Sequence, residues 1–190
     1  MLREEILLSL SYYPELLDVC IKFVLISPMI KKSVMQAQPE FRSYFTPGKK
    51  RHYVIRISRY FKGGPDVLPI ETLPRRVLIG WIGHELGHVM DYEERDFWQM
   101  ARFGFGYLFS SKYLMRAERT ADSFAISHGL GKKILATKNF ILDHAHLPER
   151  YKKKIRRLYL SPEDAVELIE HYEARLAEAA AHSEKNAPAT

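Results

Sequence analysis

The spacing of apolar positions divides the chain into a β-rich first third and a helical remainder. Leu2, Ile6 and Leu10 recur at helical spacing and predict a short N-terminal helix. A run of β-branched and aromatic residues at 18–27 predicts a strand, and residues 33–38 predict a second, shorter one. The first third is therefore expected to hold a small sheet.

A third strand is predicted at residues 51–59, where Tyr53, Ile55 and Ile57 alternate with more polar positions. Strict alternation indicates that one face of the strand is buried. The turn-forming residues at 46–50 would allow the segment 41–45 to pair with this strand as a hairpin.

Four helical stretches are predicted after residue 69 from apolar periodicity and from helix start and stop signals. The first extends from Pro74 to about Tyr92, and the second from residue 112 to 128, with Gly129 as a left-handed cap. The third is the amphipathic segment 151–158, and the fourth extends from Ser161 to about His182. We therefore predict one α+β domain over residues 1–182, with a small, mostly antiparallel sheet in its first third. Residues 183–190 are predicted to be a disordered tail.

Composition agrees with a globular domain, because 46% of the 190 residues are apolar and 27% are charged. Cys20, the one cysteine, can form neither an internal disulfide nor a multi-thiolate metal site. Its apolar surroundings predict an inert core thiol. No apolar stretch approaches the length of a membrane span, and Glu4 and Glu5 argue against a secretory signal. These features predict a cytoplasmic protein.

The strongest chemical signal is the sequence His84-Glu85-Leu86-Gly87-His88, an H-E-x-x-H motif inside a predicted helix. Residues i and i+4 share one face of a helix, so both imidazoles can bind one metal ion. Zinc suits such a donor set and lowers the pKa of a bound water, and Glu85 points toward that water. A coincidental polar face remains the alternative.

A second predicted helix offers Glu118 as a third metal ligand. Asp122, one turn later, could accept an N–H bond from a ligand histidine, or could be an ordinary solvated residue. The sequences G-H-E-L-G-H at 83–88 and E-R-T-A-D-S-F-A-I-S-H-G at 118–129 resemble those of the gluzincin metallopeptidases. The resemblance is closest to the branch that contains the CAAX prenyl proteases and the membrane heat-shock peptidases.

This resemblance spans residues 74–158 and implies a zinc metallopeptidase that cleaves peptide or protein substrates. It implies His84, His88 and Glu118 as zinc ligands and Glu85 as the general base. Because the chain lacks the transmembrane helices of that branch, it looks like a minimal soluble version of the catalytic core, and membrane substrates do not carry over.

The segment 143–150 resembles the part of that branch that carries a histidine and, six residues later, an arginine. His144 and Arg150 have this spacing, which implies that they stabilise the negative charge of the tetrahedral intermediate. His146 could take the role of His144. Alternatively, the segment is a surface connection before a helix that begins at Pro148.

Two further segments have alternative interpretations. In gluzincins a sheet edge hydrogen-bonds the extended substrate, and the strand at 51–59 is either that edge or a plain core strand. The aromatic-rich segment 97–115 is either a lid or membrane-surface wedge, or a set of rings packed between helices.

Two other functions remain possible from the sequence. The chain could be a catalytically inactive, zinc-containing binding or regulatory module. It could also be a basic nucleic-acid-associated protein, since its net charge is +6. This modest excess of basic residues favours acidic partners but does not by itself require nucleic acid. The basic residues that would serve the latter are Lys49, Lys50, Arg51, Arg75, Arg76 and the run at 152–157. That function requires these charges to share one face.

Overall fold

The structure, a computed structural model, describes residues 2–27, 29–30, 33–40, 43, 51–62, 67–143 and 147–185. These residues include seven α-helices and five strands. The helices are α1 (Arg3–Leu10), α2 (Arg75–Glu93), α3 (Phe97–Phe109), α4 (Ser111–Ala125), α5 (Gly131–Asp143), α6 (Glu149–Leu158) and α7 (Pro162–Lys185). The strands are β1 (Cys20–Ile26), β2 (Met35–Pro39), β3 (His52–Ser58), β4 (Tyr60–Lys62) and β5 (Val67–Pro69). The predicted α+β class, with the sheet in the first third, is confirmed.

The main sheet has the strand order β1-β3-β2. β3 runs parallel to β1 and antiparallel to β2, while β4 and β5 form a separate antiparallel pair. Tyr53, Ile55 and Ile57 of β3 are buried, as their alternation predicts. Because β3 has a neighbour on each side, it cannot be the edge that binds an extended substrate. The core-strand interpretation of residues 51–59 is the correct one.

The expectation that Cys20 is a buried core thiol is wrong, because its side chain is exposed. Cys20 and Lys22 lie on the exposed face of the edge strand β1, whereas Ile21 and Phe23 on the other face pack against the core. An apolar run on an edge strand can leave one of its two faces in solvent.

Helix α2 lies at the centre of the helical part and packs against α1, α4, α5 and β2. It begins after Pro74, as predicted, and is buried on nearly all sides. At its C-terminal end the Arg51 guanidinium donates hydrogen bonds to the carbonyl oxygens of Tyr92 and Glu93. These bonds satisfy carbonyls that have no partner within the helix.

The start signals of the later helices are confirmed, whereas the ends of α4 and α7 differ by three residues from those predicted. Gly129 has φ +80°, the left-handed conformation predicted for it, although α4 already ends at Ala125 and a wide turn at Ile126–Leu130 leads directly into α5. Ser161 Oγ accepts a hydrogen bond from Asp164 N at 3.0 Å and caps α7. That helix continues past His182 to Lys185, and the predicted tail otherwise lies outside the described residues.

Helices α3 and α5 are not anticipated by the sequence analysis. Helix α3 begins at a reciprocal capping box in which Asp96 Oδ1 accepts from Gln99 N at 2.7 Å and Gln99 Oε1 accepts from Asp96 N at 3.1 Å. The expectation that the rings of this segment pack between helices holds for Phe103, which is buried. It is wrong for Trp98 and Phe109, which are 78% and 74% exposed.

Helix α6 is the amphipathic helix predicted around the basic run. Ile155 and Leu158 are buried as expected, but Lys152 is buried as well, so not all of the charges form a solvated face. The hairpin predicted for residues 41–45 lies almost entirely outside the described residues. Among the described helices, none is long and apolar enough to cross a membrane.

Candidate metal centre

Two histidines of α2 face one carboxylate of α4 inside the protein. His84 Nε2 lies 3.1 Å from Glu118 Oε2, and His88 Nε2 lies 3.5 Å from the same oxygen. All three side chains are buried. The spacing of four residues places the imidazoles on one face of α2, with their ring centroids 4.7 Å apart.

The geometry of these three groups fits a metal ion. Ligand atoms from His84, His88 and Glu118 all lie within 4.8 Å of one another. Zinc binds histidine nitrogen and carboxylate oxygen at about 2.0–2.2 Å, which places neighbouring donors of a tetrahedral site about 3.3 Å apart. The separations of 3.1 and 3.5 Å lie on either side of that value. The cluster could therefore hold a metal ion.

Asp122 orients His84 from behind. Its Oδ1 lies 3.0 Å from His84 Nδ1, while its Oδ2 lies 2.6 Å from Lys138 Nζ and accepts from Leu160 N at 3.2 Å. Asp122 is 1% exposed, so the alternative of a solvated surface residue is wrong. A carboxylate that accepts from the outer nitrogen leaves Nε2 available for a metal and fixes the plane of the ring.

Lys138, which the sequence analysis missed, is buried and forms an ion pair with Asp122. Burial of the Asp122 carboxyl opposes its ionisation, but Lys138 and His84 outweigh this effect and lower its pKa. A signal for Lys138 was present in the sequence, because Ile134 and Ile141 place it on the apolar face of α5.

Glu85 is buried beside the cluster and makes a contact with the sheet. Its Oε2 accepts a hydrogen bond from the main-chain N–H of Ala37 in β2 at 2.6 Å. Burial raises the pKa of this carboxyl, and the nearby His84 and His88 only partly offset the effect. A raised pKa brings a carboxylate closer to the range in which it can both take up and release a proton near neutral pH.

In the metal-free protein His84 and Glu118 form a pair in which His84 is protonated and Glu118 is ionised. Burial alone would lower the pKa of His84, but hydrogen bonds to Asp122 and Glu118 outweigh it and raise the pKa to about 10. Burial likewise opposes ionisation of Glu118, but its hydrogen bonds to His84 and His88 hold its pKa well below the usual range. At neutral pH the metal-free cluster is therefore an imidazolium–carboxylate pair.

Zinc binding is expected to release the proton of His84, because a metal requires the neutral imidazole. Apparent zinc affinity should rise by up to about tenfold per pH unit as the pH increases toward 10. Protonated His84 also stabilises the metal-free fold. This stabilisation is complete below pH 6.5 and is lost as the pH rises from 6.5 to 10. Calorimetric titration of chelator-treated protein at pH 7.5, in two buffers of different ionisation enthalpy, measures the release. Equal binding enthalpies in both buffers would contradict it.

Two tyrosine hydroxyl groups contact Glu118. Tyr107 Oη donates to Glu118 Oε1 at 3.5 Å, and Tyr159 also hydrogen-bonds Glu118 while its ring lies 5.4 Å from that of His84. Burial raises the pKa of both phenols, so both remain protonated donors at neutral pH. No periodicity or motif singles out either tyrosine, since their positions depend on how α3 and α6 pack.

Gly87 lets the two helices of the cluster approach each other. A Cβ at this position would lie 2.4 Å from the carbonyl oxygen of Ala121 in α4. Since Ala121 lies between Glu118 and Asp122, this contact determines how near α4 brings both acids to α2. The glycine within the H-E-x-x-H motif is therefore part of the construction of the site.

Replacing Gly87 by Ala is expected to push α4 outward, to destabilise the fold by about 1–3 kcal/mol and to weaken zinc binding. Gly104→Ala is the matched control, because a Cβ at Gly104 meets no atom within 4 Å, and it should keep zinc affinity and gain up to about 1 kcal/mol. Urea denaturation and zinc titration measure both effects. Equal zinc affinity in the two variants would contradict the close-approach argument.

Of the groups predicted to stabilise the tetrahedral intermediate, His144 and His146 lie outside the described residues. Arg150 is in the first turn of α6 with an exposed side chain, and no described contact joins it to the cluster. Pro148 precedes this helix, as the alternative interpretation predicts. The role of these three residues stays a prediction.

Comparison with known proteins finds no match: no family model, no curated protein and no solved structure is significantly similar to this chain. The resemblance to gluzincin metallopeptidases therefore depends on the motif residues and on the geometry of the cluster alone.

Proposed function

We propose that the chain is a zinc-dependent peptidase that uses His84, His88 and Glu118 as metal ligands and Glu85 as the general base. The observation that carries this proposal is the buried convergence of the three ligand groups, with Glu85 next to His84 on α2. Zinc is the metal that best suits two imidazoles and one carboxylate. When bound, it would supply a Lewis acid that polarises a carbonyl group and activates water.

The residues of the chain have distinct roles in this proposal. Glu85 accepts the proton of the attacking water and later returns it to the leaving amine. The N–H of Ala37 holds the Glu85 carboxylate in one orientation, which favours transfer in a fixed direction. Asp122 and Lys138 keep the His84 ring in the plane that a ligand needs.

Neutral hydroxyl donors support the hydrolytic role. Tyr107 and Tyr159 lie against Glu118 and stay protonated at neutral pH, so they can donate hydrogen bonds to an oxygen that gains negative charge during hydrolysis. They are available in addition to the predicted His144 and Arg150.

The nucleic-acid alternative receives less support. Arg75 is at the first residue of α2 and Arg51 contacts its other end, and the 19 residues of the helix span about 28 Å at 1.5 Å per residue. Arg51 binds main-chain carbonyls, and the Arg75 guanidinium lies 3.5 Å from Glu4 and 3.2 Å from Glu5. Both guanidinium groups therefore already have partners within the chain.

The proposal is tested by metal-dependent proteolysis of an unfolded substrate. Zinc-loaded protein is expected to cleave fluorescein-labelled, quenched casein, which increases the fluorescence. Cleavage should stop when o-phenanthroline removes the metal and should resume when zinc is restored. A protein that binds stoichiometric zinc yet never releases fluorescence would favour the inactive zinc-containing module.

A further inference from the structure

A basic groove lies between helices α4 and α7. Its volume is about 510 Å³, within the range of small-ligand pockets. Arg116, Arg119 and Thr120 of α4 line it together with the rings of Phe124 and Tyr172. No acidic side chain is among the described residues that line it. The groove therefore combines two positive charges with aromatic walls.

The two arginines of the groove point away from the metal cluster. At about 100° per residue, Arg116 lies about 160° and Arg119 about 100° from Glu118 around α4. Among the described residues, neither guanidinium forms an ion pair or a hydrogen bond. Arg51 and Arg95, by contrast, are bound to acceptors of the chain itself. The positive charge of the groove is therefore free to bind an anion.

One hydrogen-bond donor of the groove is buried. Nε of Arg119 is shielded from solvent and has no partner among the described residues. Such a donor has lost its water without gaining an acceptor, which is unfavourable until a partner arrives. The Thr120 hydroxyl also has no described hydrogen bond and is a further, neutral donor. An anion in the groove would supply acceptors to both.

The spacing and charge of these donors fit a phosphoryl group. Arg116, Arg119 and Thr120 stand at positions i, i+3 and i+4, so they are neighbours on one helical face. A phosphomonoester carries a charge of about −1.5 to −2 at pH 7 and offers three acceptor oxygens, whereas a carboxylate would neutralise only one arginine. Glu173, the acid beside Tyr172, does not compete, because it lies 3.6 Å from Lys132 Nζ.

The rest of the groove suits a planar ring. A phosphoryl group alone would fill only a small part of the volume, and the remainder is bounded by Phe124, Tyr172 and Met115. Aromatic side chains bind planar ring systems by stacking. The Arg175 guanidinium lies 6.0 Å from the centroid of the Tyr172 ring and adds positive charge near this end. These walls favour an organic phosphate over inorganic phosphate.

We propose that the groove between α4 and α7 binds a small organic phosphate, such as a nucleoside monophosphate. Its phosphoryl group contacts Arg116 and Arg119, and its planar ring lies against Phe124 and Tyr172. The groove shares no lining residue with the three candidate metal ligands, so this binding requires neither zinc nor hydrolysis. It is a second site, separate from the proposed peptidase centre.

Isothermal titration calorimetry of zinc-loaded wild type with adenosine 5′-monophosphate tests the phosphoryl contacts. Saturable binding with one ligand per chain is expected, and adenosine and inorganic phosphate should each bind at least about tenfold more weakly. Arg119→Gln should weaken binding of the monophosphate by at least about tenfold. Lys112→Gln removes a positive charge from an exposed position of the same helix and should change the affinity by less than about twofold.

The ring contact is tested by Tyr172→Leu, which keeps apolar bulk at the groove. Loss of stacking should weaken binding of the monophosphate by about five- to a hundredfold. Trp98→Leu removes an exposed ring from α3, outside the groove, and should leave the affinity unchanged. Circular dichroism must show that each variant is folded.

Several results would overturn the proposal. They are the absence of saturable binding to folded wild type, an unchanged affinity in folded Arg119→Gln and Tyr172→Leu proteins, and inorganic phosphate that binds as tightly as the monophosphate. A phosphoserine peptide that binds more tightly than the monophosphate would assign the groove to a protein partner instead.

Removal of zinc separates this site from the metal cluster. The monophosphate should bind folded, chelator-treated protein with unchanged affinity, whereas binding that is lost with the metal would place the phosphate on zinc and contradict the proposal. A protein that binds the monophosphate through Arg119 but cleaves no peptide supports this site and contradicts only the proposed hydrolytic function.

Discussion

Replacing Glu118 by Ala is expected to remove zinc from the protein. The substitution deletes one of three ligand groups and leaves His84 and His88 facing a small void. Loss of an outer partner such as Asp122 typically weakens a metal site by about 10- to 100-fold, and loss of a ligand should weaken it by more. Inductively coupled plasma mass spectrometry of purified protein, together with zinc titration, measures the loss.

Glu94→Ala provides the matched control for this variant, because Glu94 is an exposed carboxylate at the end of α2. It should retain zinc at the level of wild type. Circular dichroism must show that the Glu118→Ala protein is folded. A folded Glu118→Ala protein with near-stoichiometric zinc would exclude Glu118 as the third ligand.

Replacing Glu85 by Gln is expected to lower kcat for peptide hydrolysis by roughly 10²- to 10⁴-fold, the usual contribution of a general base. Zinc content should not change, because Glu85 is not one of the three proposed ligands. The amide keeps the size of the side chain, and its oxygen can still accept from the N–H of Ala37. Peptide affinity should therefore persist while turnover is lost.

Steady-state kinetics with one cleavable peptide measures this effect, and Glu94→Gln is the control for loss of a carboxylate on the same helix. A Glu85→Gln protein with the kcat of wild type would assign the general base to another group. A fall in zinc content together with kcat would instead mean that Glu85 supports the metal site.

Local sequence patterns predict those parts of the site that a single helix determines. His84 and His88 share a face because their spacing is one helical turn, which needs no knowledge of the fold. The start of α2 after Pro74 and the Ser161 cap of α7 are likewise local, and so is the left-handed conformation of Gly129, although α4 ends at Ala125, before it. For these features, residue type and spacing contain the required information.

Tertiary packing determines the parts that the sequence analysis missed. The contact between Glu85 and Ala37 depends on which strand forms the sheet edge, and strand order is not a local property. Lys138 reaches Asp122 only because α5 packs against α2 beside α4. Helix α3 was missed because its apolar residues occur on several faces, although Asp96 and Gln99 gave a capping-box signal.

The exposure of Cys20 illustrates the same limit. Its neighbours in sequence are apolar, but β1 is an edge strand that packs only one of its faces, and Cys20 lies on the other. Residues 51–59 show the converse case. Their alternation correctly predicts a half-buried strand, yet it contains no information about whether that strand is central or at an edge.

The central claim is that hydrolysis of peptide bonds occurs at the cluster of His84, His88 and Glu118 with Glu85 as base. The most direct measurement is mass-spectrometric identification of the new termini that zinc-loaded wild type and Glu85→Gln, matched in zinc content, generate in a complex peptide library. Wild type is expected to produce new termini that the variant does not produce at equal time. An identical set of termini from both proteins, or none from fully zinc-loaded wild type, would contradict the claim.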